Sequence, residues 1–89
     1  MTREQIRAKV KDILARLVPD ADFEALAPDA NLRETLEADS MDLLNFVVAL
    51  HDELGVDVPE LDYRKIDTLD RCLDYLAAAI GAREAKRAS

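Results

Sequence analysis

At 89 residues the chain has the length of one domain and little room for a deep catalytic cleft, which argues against an enzyme. Hydrophobic residues make up 49 % of it, with no Trp, two Phe and two Tyr, so the core must be aliphatic. The formal charge of −7 excludes nucleic acid and anionic membrane as natural partners, because both select basic surfaces.

Thr2 followed by Gln5 is a capping box, and Ile6, Val10, Ile13, Leu14 and Leu17 then recur at helical spacing. Pro19 ends this first helix. From Val18 to Ala38 the period is lost among two prolines and several Asp and Asn, which predicts a long ordered loop pinned by Phe23, Leu26, Leu32 and Leu36. Asp39 or Ser40 caps a second helix that runs to about Leu54, where Gly55 stops it. Val56 to Ile66 reads as a short connector with Pro59 and a single helical turn. Asp67 or Thr68 opens the last helix, whose stripe of Leu69, Cys72, Leu73, Leu76 and Ile80 ends at Gly81. The expected organisation is a single helical domain over residues 1–81, followed by a flexible polar tail over 82–89. The fold class is all-α, with three main helices and a short one.

No run approaches the roughly 20 apolar residues of a membrane span, and Met1–Val10 lacks the apolar block of a signal peptide, so the chain is expected in the cytoplasm. Cys72 is the only cysteine and falls on an apolar stripe, where it reads as a small buried hydrophobe. No CxxC or Cys/His cluster is present to hold a metal.

The second helix is too apolar for one face. Leu43, Phe46, Val47, Leu50 and Leu54 form one stripe, while Met41, Leu44 and Val48 form another roughly 130° around the axis. Such a helix either packs on both sides or offers one stripe to a partner. The second stripe starts beside Ser40 and is bordered by Asp42, Asn45 and Asp52, the pattern of a recognition surface with a polar rim. From Glu34 to Tyr63 the chain carries nine acids and no Lys or Arg. That run is either a solvated face or a docking surface for basic partners.

A serine at a helix start can be a cap, a nucleophile or a modification site. Nucleophilic catalysis needs a base, and the only histidine, His51, lies about 16 Å along the same helix at 1.5 Å per residue. The flanking Glu37-Ala38-Asp39-Ser40-Met41-Asp42 lacks the glycines of a nucleophile elbow.

Asp39-Ser40-Met41-Asp42, the following Leu43-Leu44-Asn45-Phe46-Val47-Val48-Ala49-Leu50, and Gly55-Val56-Asp57-Val58-Pro59 together resemble the phosphopantetheine attachment region of acyl carrier proteins. The likeness runs from Leu32 to Leu76 and includes the Asp67-Thr68-Leu69 start of the last helix. It implies an acyl-carrier-like four-helix bundle with three main helices, a short third helix and a long first loop. It also implies a monomeric carrier rather than an enzyme, with Ser40 as attachment residue and Asp39 as part of the motif. A phosphopantetheinyl transferase would move 4'-phosphopantetheine from coenzyme A to the Ser40 hydroxyl. Acyl-loading and acyl-processing enzymes with basic docking surfaces would then read Met41, Asp42, Leu44, Asn45, Val48 and Asp52. The pathway expected is fatty-acid, polyketide or specialised acyl metabolism; a D-alanyl or aminoacyl carrier, or a carrier-fold interaction subunit, is the alternative. Three departures point to a specialised member. Glu37 stands where many acyl carriers have Gly, Asn45 and His51 stand where fatty-acid carriers usually have glutamates, and Met41 with Asp62-Tyr63-Arg64-Lys65 resembles D-alanyl carriers.

Overall fold

A computed structural model describes residues 1–20, 22–23 and 26–88. In chain order it has α1 (Arg3–Leu17), α2 (Leu32–Leu36), α3 (Ser40–Leu54), a 3-10 helix (Glu60–Ile66) and α4 (Leu69–Ala88). Among the described residues the only extended pairing is one isolated bridge between Asn31 and Thr68. The all-α expectation therefore holds.

Local chemistry sets most helix ends. The Thr2 hydroxyl accepts from the Gln5 amide at 3.1 Å, and the Gln5 side chain accepts from the Thr2 amide at 2.8 Å, so α1 begins with the expected reciprocal box. α3 ends at Gly55, whose φ of +69° is the left-handed stop that a residue without Cβ takes at no steric cost. At the start of α4 the Thr68 hydroxyl accepts from the Arg71 amide at 3.1 Å, so Thr68 rather than Asp67 is the cap.

The three long helices bury one face each. Ile6, Val10, Ile13 and Leu14 from α1 meet Phe46, Leu50 and Leu54 from α3 and Cys72, Leu73, Leu76 and Ile80 from α4. Val56, Val58 and Ile66 close the connector side of this core, while Leu26, Leu32 and Leu36 close the loop side. Each such aliphatic side chain contributes roughly 1.5 to 3 kcal/mol of burial free energy. Leu43 and Val47, expected in the core, are only half-buried and pack on its margin.

Two expectations need correction. The segment from Val18 to Ala38 is not uninterrupted loop, because Leu32–Leu36 forms the short helix α2. Five residues are too few to display a helical period. This helix is held from outside: Asn31 caps it by accepting from the Glu34 amide, and the Leu32 amide donates to the Asp67 carbonyl at 2.8 Å. The last helix also does not stop at Gly81 but runs to Ala88. Gly81 does not take a positive φ, and the helix-favouring Ala82, Arg83 and Glu84 follow it. Tertiary contacts tie this turn down. Arg83 Nη1 donates to the Leu54 carbonyl at 2.8 Å, and the Met1 ammonium pairs with Glu84 at 2.9 Å. The expected tail 82–89 thus includes a helical turn docked on α3 and on the chain start.

Candidate functional site

The start of α3 is built by Asp39. Its carboxylate accepts from the Asp42 amide at 2.9 Å, while the Asp42 carboxylate accepts from the Asp39 amide at 3.2 Å, a reciprocal box. The cap that the sequence allowed to Asp39 or Ser40 therefore belongs to Asp39. Ser40 is the first helical residue and is exposed, with its hydroxyl free of capping duty. The Leu43 amide bonds to the Asp39 carbonyl and the Asp42 amide to the Asp39 side chain. Among the described residues, the first-turn amides of Ser40 and Met41 make no hydrogen bond.

A left-handed turn precedes Ser40. Glu37 closes α2 in the left-handed region at φ 53°, the only non-glycine with positive φ among the described residues. This reversal lets the Ala38 amide donate to the Arg33 carbonyl at 2.9 Å and aims the chain into α3.

Among the described residues, no base is hydrogen-bonded to the Ser40 hydroxyl. Asp39 and Asp42 are engaged with amides, and His51 sits exposed at the other end of α3. Its Nδ1 lies 3.6 Å from Asp52 and its Nε2 3.3 Å from Asp57. Cys72 is no alternative acyl acceptor. It is fully buried, and burial pushes its thiol up to about 12, so the nucleophilic thiolate is not formed near neutral pH.

The two stripes of α3 separate as the helical period demands. Phe46, Leu50 and Leu54 are buried, whereas Met41 is 62 % exposed, Leu44 46 % and Val48 56 %. Asn45 and Asp52 are exposed on the rim of this outer stripe; Asp42 is half-buried and also serves the cap. Val47, Val48 and His51 continue into an open groove completed by Asp57, Val58 and Pro59. Beyond Pro59 the structure exposes Leu61 almost completely, at 94 %. Sequence reasoning missed this residue, since the facing of a three-per-turn helix depends on how it docks. The one available signal was a lone Leu between Glu60 and Asp62. Here the docking contact is the Tyr75 hydroxyl of α4, which donates to Asp62 at 2.7 Å.

The profile of the phosphopantetheine attachment site family matches residues 4–76, a span that contains Ser40 and all of α3. An acyl carrier protein from Rubrobacter xylanophilus is 36 % identical over 76 residues, covering 85 % of this chain and 93 % of that protein. One from Thermosynechococcus vestitus is 34 % identical over 82 residues, covering 92 % of this chain and the whole of that protein. The solved structure of an acyl carrier protein from Enterococcus faecalis superposes with a TM-score of 0.75 at 32 % identity, over 89 % of this chain and 99 % of that one. The chain belongs to the acyl carrier protein family, whose members are carriers with 4'-phosphopantetheine as their prosthetic group.

Proposed function

We propose that Ser40 is the attachment residue and that the chain carries acyl intermediates as thioesters between the enzymes of an acyl-building pathway. The observation that carries this reading is the exposed Ser40 at the first position of α3, with Asp39 doing the capping. In the loading step a phosphopantetheinyl transferase directs the Ser40 oxygen onto the phosphorus of coenzyme A that bears the pantetheine. The new O–P bond forms, the pyrophosphate bond breaks, 3',5'-ADP leaves and the serine proton passes to the enzyme or solvent. The group supplies a terminal thiol for acyl transfer. This chain's residues supply position and identity. Ser40 and Met41 amides are available to the phosphate oxygens, and the apolar Met41, Leu44 and Val48 with Asp42, Asn45 and Asp52 offer a docking face to partners with basic rims. The carrier works as a monomer in this reading.

Incubation with coenzyme A and a broad-specificity transferase should add one phosphopantetheine to the intact mass. Ser40→Ala should add none while retaining its helical circular dichroism. Modification that persists in Ser40→Ala assigns the arm to another residue; no modification of the wild type leaves a carrier fold that acts by binding alone.

A further inference from the structure

Between Leu17 and Tyr63 the sequence has a single Lys or Arg, and it is Arg33. The fold brings it to the base of α3. Its carbonyl holds the Ala38 amide at 2.9 Å, and from Ala38 to Ser40 the chain can span at most about 7 Å. Arg33 lines one surface depression with Asn31, Glu34 and Ala38, and a neighbouring crevice with Ala38 and Asp42, the residues two before and two after Ser40. Glu34, Glu37, Asp39 and Asp42 lie within six residues of Ser40 in the sequence. Even so, the Arg33 guanidinium makes no ion pair among the described residues.

Resting on the attachment reading above, we propose that Arg33 is the counter-ion of the phosphate that joins the arm to Ser40. A phosphodiester is a monoanion throughout the neutral range, so modification adds a fifth negative charge to a junction that already holds four carboxylates. Arg33 is the one Lys or Arg between Leu17 and Tyr63, and its planar fork matches two phosphate oxygens. The Ser40 and Met41 amides, first-turn donors of α3, can add to it. Because the site is exposed, the contact biases the arm and does not lock it. It leans the root of the arm toward α2 and keeps the Met41, Leu44 and Val48 face clear for a partner.

The test uses isotope-labelled protein converted with coenzyme A, its loading verified by intact mass. On conversion the Arg33 Nε–H resonance should shift, and the single 31P resonance of the arm should differ between wild type and Arg33→Gln, becoming narrower in the variant. Arg33→Lys should return part of the difference, and raised salt should move the wild type toward Arg33→Gln. Thermal melts and amide spectra of the unmodified variants should match wild type away from α2, which separates this role from a structural one. Identical 31P shift and width in wild type and Arg33→Gln, with loading complete in both, overturns the proposal alone. Failure of the wild type to load overturns the attachment reading and this proposal together.

Discussion

Glu37 is where a single residue's backbone decides the geometry of the site. A side chain at φ 53° brings its Cβ toward the following carbonyl, a strain of about 1 to 2 kcal/mol that glycine escapes. Glycine loses more conformational freedom on folding, roughly 0.5 to 1 kcal/mol, so the two effects partly cancel. Glu37→Gly is expected to stabilise the fold by up to about 1 kcal/mol and to raise Tm by a few degrees in a thermal melt. A Tm that stays level or falls would mean that the Glu37 side chain contributes a contact outweighing its backbone strain. The resemblance singled out this position as a departure from glycine, and the structure supplies the reason: it is the left-handed stop of α2. Gly55 is the same device at the end of α3. A Cβ there would displace the end of the flexible Arg83 side chain, so the left-handed backbone is the main obstacle to a side chain.

At the level of the element, α3 is a helix with two apolar faces and one core. Phe46→Ala removes a buried ring and leaves a cavity, which should cost about 3 to 5 kcal/mol, most of the stability of a marginal domain. Leu44→Asp changes a half-exposed position and should leave Tm nearly unchanged. It should nevertheless slow transfer of the arm, because the new carboxylate must be desolvated against an apolar partner. Melts and loading rates on both variants test the division of labour. If Leu44→Asp melts as early as Phe46→Ala, the outer stripe is core and the docking face lies elsewhere. The period of the sequence separated the two stripes, though Leu43 and Val47 lie on the margin of the core rather than within it. Which one would be covered depended on where α1 and α4 pack, and that information is not local to α3.

For the whole molecule, charge joins the helices at their edges. Glu53 of α3 is held between Arg16 and Lys9 of α1, and Asp62 of the 3-10 helix between Tyr75 of α4 and Lys65. The hydrogen bond from Arg16 holds the Glu53 carboxyl below its ordinary 4.5, and the hydrogen bond from Tyr75 holds that of Asp62 below its ordinary 3.8. Both folded values are depressed. Their stabilisation is therefore present above the ordinary values and is lost as pH falls from about 4.5 through the folded values. Tm should drop over this acid range, and Glu53→Gln with Asp62→Asn should flatten the drop; a double variant whose profile parallels wild type would remove these two groups from the acid transition. At the alkaline end burial, then the Asp62 carboxylate, pushes the Tyr75 phenol up to about 12, so its contribution is present below its ordinary 10 and lost as pH rises toward 12. Across the described residues no helix is long and apolar enough to cross a membrane.

The three long helices, the capping box at Thr2, the choice of Asp39 or Ser40 as the cap of α3, the stop at Gly55 and the motif around Ser40 that resembles a phosphopantetheine attachment region were legible in the sequence. Each depends on residues within about four positions of one another, where spacing and side-chain chemistry suffice. The tertiary structure alone decided the rest. α2 exists because Leu32 finds the Asp67 carbonyl 35 positions on, and the Asp70 amide of the same α4 entrance meets the Pro28 carbonyl at 2.9 Å. α4 passes Gly81 because Arg83 reaches the Leu54 carbonyl and Glu84 the chain start. The exposure of Leu61 has the same origin, since Asp62 beside it is held by Tyr75. In each case the deciding partner is distant in sequence, so a local pattern carries no signal of it until the chain has packed.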